Sequence, residues 1–124
     1  MNYQEFLEKV INNGIEAVKE DYKPGDNRLK GSIKGFEDCR SRSPNDLYAL
    51  LIEARDAANK KFIETQESDK KGVDEYWYFQ SRAGEIEWVC NSVSAMLVNQ
   101  GLPPLIPPTC RGAMNTARIL EVGH

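Results

Sequence analysis

Apolar residues recur along this chain at intervals of three and four, and the longest such run lies between Val73 and Gln100. Read as one helix, that stretch carries two apolar rows. Phe79, Ala83, Ile86, Cys90, Val93 and Leu97 form the first, and Trp77, Gly84, Trp88 and Ala95 form the second on a different side. A single row is enough to dock a surface helix on a core. Two rows predict a helix sandwiched by its own domain, by another copy of the chain, or by a partner. Gly84 and Ala95 leave room for rings, so an antiparallel two-fold contact through the second row fits this pattern.

The same periodicity predicts three earlier helices. The first covers about Asn2 to Tyr22, with Tyr3, Phe6, Leu7, Val10, Ile11, Ala17 and Val18 on one side. Gly14 lies in that apolar face, which suggests close approach of another backbone. After the turn Lys23-Pro24-Gly25-Asp26, a second helix starts on Asp26 as N-cap and runs toward Cys39, with a stripe of Leu29, Ile33 and Phe36. Gly31 and Gly35 share a face of it, either for a tight helix-helix contact or as part of an irregular connector. Ser43 as cap and Pro44 as first helical residue open a third helix reaching about Gln66. Its inner side reads Leu47, Leu50, Leu51, Ala54, Ala58 and Phe62, and Asp56 with Lys60 is a candidate i,i+4 pair.

Gly101 should stop the fourth helix in a left-handed conformation. The prolines of Leu102 to Pro108 impose an extended strap. A short last helix follows, from Thr109 to near Val122, docking through Ala113, Met114, Ala117 and Leu120. No segment shows strand-like alternation. The expected fold is all-α, a single helical domain over residues 1–124. It is an up-and-down bundle of four main helices plus an extended proline-rich strap and a short C-terminal helix.

Composition narrows the setting. With 124 residues, 40% hydrophobic and 28% charged, the chain suits one globular domain and not a disordered segment. A net charge of -3 gives no general attraction to nucleic acid or anionic membrane. The stretch holding Arg28, Lys30, Lys34, Arg40 and Arg42 is mildly basic, and weak nucleic-acid contact through Arg28, Lys34, Arg40 and Arg42 ranks third among the readings. Cys39, Cys90 and Cys110 form no CxxC pair, which argues against a disulfide framework or thiolate metal site. The first residues, Met1 to Glu8, lack the charged-then-apolar form of a signal peptide, and no apolar run reaches membrane-spanning length. A reducing cytoplasm is the expected home.

Chemistry enters mostly by exclusion. The one histidine is His124, the last residue, so histidine-based triads, dyads and zinc sites drop out. Neither a dinucleotide fingerprint nor a P-loop is present. Arg111 and Gly112 at the start of the last helix offer only a weak anion site.

Carboxylates remain: Glu16 with Glu20, Glu64 with Glu67, and Glu85 with Glu87. Such groups can line a helical bundle and bind magnesium, as in all-helical nucleotide pyrophosphohydrolases. Here Trp88 and Val89 follow Glu85 where that pattern would want another acidic residue. Glu85 needs a partner if its helix is covered on two sides, and Arg82, Arg55 or Arg118 are the candidates.

The leading expectation is therefore a small cytoplasmic interaction or adaptor protein without catalytic, cofactor-binding or metal-binding residues. It forms a homodimer, or meets another protein, through Trp77, Tyr78, Gly84, Trp88 and Ala95 on the fourth helix. The alternative is a divalent-metal-dependent bundle enzyme or ligand binder of the pyrophosphohydrolase type, with Glu85 and Arg82 the candidate polar site.

Overall fold

In the computed structural model, which describes residues 2–67 and 71–105, every regular element is an α-helix: α1 Tyr3–Asp21, α2 Asn27–Asp38, α3 Pro44–Glu67 and α4 Lys71–Asn99. The ends follow local chemistry. Asn2 caps α1 in a reciprocal box with Glu5, Asp26 accepts the Arg28 amide to cap α2, and the Ser43 hydroxyl accepts from the Asp46 amide at the start of α3. At the end of α4, Gly101 is left-handed with φ 80°. Its amide bonds to Val98 and that of Leu102 to Leu97, which satisfies carbonyls the helix leaves open.

Contacts along the helices fix their directions. Lys61 meets Glu75 at one end of the α3–α4 pair and the Leu47 carbonyl meets Cys90 Sγ at the other, so these helices run antiparallel. Arg40 of the turn after α2 reaches Glu8, while Arg28 at its start stacks on Tyr22, so α1 and α2 are antiparallel too. Gly31 lies on Tyr78 and Gly35 on Arg82, which makes α2 and α4 parallel. The four helices alternate up and down.

Within that topology α4 is central, with α2 packed along one side and α3 along another. On the α2 side the approach is backbone to backbone. A Cβ added at Gly31 would collide with the Tyr78 carbonyl, and one at Gly35 would lie 2.6 Å from the Arg82 carbonyl oxygen. Of the two roles open to these glycines, the tight helix-helix contact is the one present. Gly14 has a different role from the expected one. A ring, that of Phe36, occupies the space its side chain would fill, and not another backbone.

The core gathers Leu7, Ile11, Phe36, Leu47, Leu51, Ile86, Val89 and Val93 from all four helices. Burying this apolar surface is the main driving term for a bundle of this size. Ile15 joins it, whereas Ala17 faces solvent. Phe62, expected inside, is 46% exposed and meets the Tyr76 ring of α4 at 5.8 Å. Asp56 and Lys60 do not pair, and Lys61 instead bridges Glu64 and Glu75. Buried Cys39 and Cys90 are free thiols, and burial pushes Cys39 up to about 12. Tyr3 donates to the Arg42 carbonyl at 2.6 Å, which ties the start of α1 to the α2–α3 turn.

Beyond α4, the chain reaches Leu105, whose amide donates to the buried Ser94 hydroxyl at 2.9 Å. That is the first part of the expected strap. The expected final helix, with Ala113, Met114, Ala117 and Leu120, lies outside the described residues, as do Cys110, Arg111, Gly112, Arg118 and His124.

Alanine substitution separates the two kinds of glycine. Gly31→Ala should lower unfolding stability by about 2 kcal/mol despite alanine's better helix propensity, since the added carbon overpacks a backbone contact. Gly84→Ala, with nothing of its own chain near the added carbon, should raise the stability of the single chain, measured in dilute solution, by about 0.5–1 kcal/mol. Urea denaturation of both variants measures the contrast.

Candidate functional site

The fourth helix presents three unlike flanks. Toward α3 it turns Ala83, Ile86, Cys90 and Val93, all buried, with Phe79 and Leu97 partly so; this is the first row read from the sequence. Toward α2 it turns Tyr78, Arg82 and Glu85, with Trp88 meeting Phe36 at the edge. Its third flank carries the second row. Gly84 and Ala95 are exposed, and Trp77 and Trp88 are 44% and 45% exposed. Among the described residues, the second covering of α4 is thus by α2 on a largely polar row, and the apolar row expected to be sandwiched stands open. Polar residues can face α2 because its glycines bring a backbone, not a side-chain layer, against them.

Of the five residues expected at an interface, Trp77, Gly84, Trp88 and Ala95 share this open flank. Tyr78 belongs to the α2 side. Its backbone receives Gly31, and its half-buried ring stacks edge-on against Phe79 at 5.2 Å.

Glu85 and Arg82 both face α2 but do not pair with each other. Arg82, only 12% exposed in its side chain, donates through Nε to Asp38 and through an Nη to Glu53, each at 2.9 Å. It thereby links α2, α3 and α4. Asp38 also takes Lys34 at 3.0 Å. Arg55, the second candidate partner for Glu85, is held by Glu87 at 3.1 Å. Glu85 accepts instead from the Ser32 hydroxyl at 2.9 Å. Arg82 cannot serve Glu85, because α2 places Asp38 under its guanidinium and the α2 residue facing Glu85 is a serine.

The Glu85 carboxyl lines a groove of about 460 Å³ where α1, α2 and α4 meet. Gly14, Ala17, Val18 and Phe36 make its apolar wall, with Trp88 on one side and Asp21 at the rim. Trp88 stands perpendicular to Phe36, ring centres 5.9 Å apart, a favourable edge-to-face contact. Burial pushes the Glu85 carboxyl above the usual glutamate range; Ser32 partly offsets this and the Asp21 charge adds to it. The sequence marks Phe36 only as part of the α2 apolar stripe and does not mark Ser32 or Asp21. Only the register of α2 on α4 aligns them with Glu85, and no spacing within one helix reports it.

The remaining candidates are dispersed. Glu16 and Glu20 face solvent, and Glu64 pairs with Lys61. Among the described residues no three acidic, histidine or cysteine side chains converge as a metal site. In the basic stretch Arg28 pairs with Asp26, Lys34 with Asp38, and Arg40 with Glu37 and Glu8; Arg42 donates to the Asp38 carbonyl. Each of these cations has an acceptor within the fold, and Arg28 and Lys34 stay about half exposed. No helix among the described residues is long and apolar enough to cross a membrane.

Comparison with family models, curated proteins and solved structures finds no match to this chain.

The Glu85 shift has a consequence for stability. Its folded value lies above the ordinary 4.5, so between the two values the folded chain holds more protons than the unfolded one. Stability contributed at Glu85 is therefore greatest at low pH and falls as pH rises from 4.5 through the raised folded value. Glu85→Gln keeps an acceptor for Ser32 and removes the titration. Relative to wild type, this variant should gain stability as pH rises from 4 to 7, as measured by urea denaturation at each pH.

Proposed function

We propose that this chain is a small non-catalytic interaction or adaptor protein that pairs with a second copy of itself through the open flank of α4. The observation that carries this reading is one stripe of Trp77, Gly84, Trp88 and Ala95, exposed on a helix whose other flanks are filled by α2 and α3. Large aromatic rings on an uncovered helix face are typical of contact surfaces, since they bring much area with little loss of freedom.

The order of large and small residues favours a self-contact. Residues 77 and 95 lie at equal distances either side of the level of residue 86, as do residues 84 and 88. An antiparallel two-fold pairing at that level sets each Trp77 opposite the partner's Ala95 and each Trp88 opposite the partner's Gly84. Every ring then meets a residue with space above it, and no Cβ stands over Gly84. Such an isologous contact closes on itself as a dimer. A cytoplasmic setting accords with the free thiols of Cys39 and Cys90.

Sedimentation equilibrium or light scattering tests the reading. Wild type should show twice the 14.0 kDa chain mass, and Trp77→Glu and Trp88→Glu should return it to one chain. In dilute solution, where the chain is monomeric, Trp77→Glu should unfold within about 0.5 kcal/mol of wild type, while Trp88→Glu, which also loses the Phe36 ring contact, should lose about 1–2 kcal/mol and still melt cooperatively. A monomeric wild type at millimolar concentration, or unaffected mass in both variants, overturns the proposal.

A further inference from the structure

The groove between α1, α2 and α4 has a composition that the self-pairing of α4 does not use. Its walls are Phe36, Val18, Ala17 and Gly14, its open side is the half-exposed Trp88 ring, and its charged groups are Glu85 and Asp21. No lysine or arginine lines it. Nor does Glu85 or Asp21 take part in an ion pair among the described residues. By contrast the carboxylates of Asp26, Glu37, Asp38, Glu53 and Glu87 each hold a cation of the fold itself.

We propose that this groove binds a small alkylated ammonium ion, with the Glu85 carboxylate as counter-charge, the Trp88 ring face as second contact and the Phe36 wall against the alkyl groups. A volume of about 460 Å³ falls in the range of small-molecule sites. An aromatic face beside a carboxylate attracts a cation twice, through the ring quadrupole and through charge. The walls decide the kind of cation. Phe36, Val18 and Ala17 give N-alkyl groups an apolar surface to cover, which guanidinium, with no alkyl groups, does not use. Ala17, with its short side chain, keeps the α1 wall low beside Phe36, which leaves room for methyl groups. Asp21 at the rim adds attraction without a hydrogen bond to Glu85.

Trp88 also belongs to the flank proposed for self-pairing, so the two ideas are tested side by side. The probes are choline, its uncharged isostere 3,3-dimethylbutan-1-ol, and guanidinium. Each is titrated into wild type and into Trp77→Glu while the Trp88 indole signal is followed by NMR, with chain mass measured in parallel. Choline should shift the signal saturably in wild type or, where pairing covers the groove, in Trp77→Glu. The isostere and guanidinium should bind at least tenfold more weakly. Glu85→Gln should weaken choline at least tenfold while melting cooperatively. No saturable shift in either chain up to 50 mM choline, or equal binding of choline and isostere, overturns the ammonium site whatever the mass. A monomeric wild type that binds choline overturns the self-pairing and leaves the ammonium site standing.

Discussion

The backbone contact between α2 and α4 sets the geometry of everything else. In an up-and-down bundle of four helices, the second and fourth run parallel and ordinarily lie across the diagonal. Here that diagonal is closed, because Gly31 and Gly35 allow α2 to rest on the main chain of α4 at Tyr78 and Arg82. Each glycine costs helix stability of roughly 1 kcal/mol relative to alanine. Close packing along the shared length offsets that cost through many weak dispersion contacts. With α2 and α4 drawn together, α1 and α3 are held on the outside, and α4 becomes the helix on which the others converge.

Register follows from the same contact. Once Gly31 sits on Tyr78 and Gly35 on Arg82, Asp38 arrives under the Arg82 guanidinium, Ser32 against Glu85, and Phe36 against Trp88. A bridged arginine of this kind adds less net stability than its geometry suggests, since desolvating the charges consumes much of the attraction. Its stronger effect is against slippage. Sliding α2 by one turn would separate the half-buried Arg82 from Asp38 and leave them to Glu53 and Lys34 alone.

The two surfaces of interest are by-products of this arrangement. Since α2 and α3 take two flanks of α4, the third, with Trp77, Gly84, Trp88 and Ala95, is left without a covering layer among the described residues. Since α1 leans on α2 more than on α4, a gap opens at their junction, and Glu85 faces it. Trp88 borders both. One side chain thus connects an apolar face suited to a second protein surface with a small acidic pocket.

Local sequence determined the helices and their ends. Asn2, Asp26 and Ser43 cap with their own side chains and Gly101 turns left-handed, and these events involve neighbours a few residues away. The apolar stripe of α4 toward α3 was equally legible, because burial at helical spacing needs no knowledge of the partner. Tertiary structure decided which helix lies against which. Phe36 fills the space at Gly14, Ser32 takes Glu85 and Asp38 takes Arg82, and each pairing joins residues that no periodicity links. It also decided that, among the described residues, the tryptophan row stays open while a polar row is covered. Hydrophobic spacing reports that a face prefers to be buried, but the backbone clearance at two glycines chose which face α2 would cover.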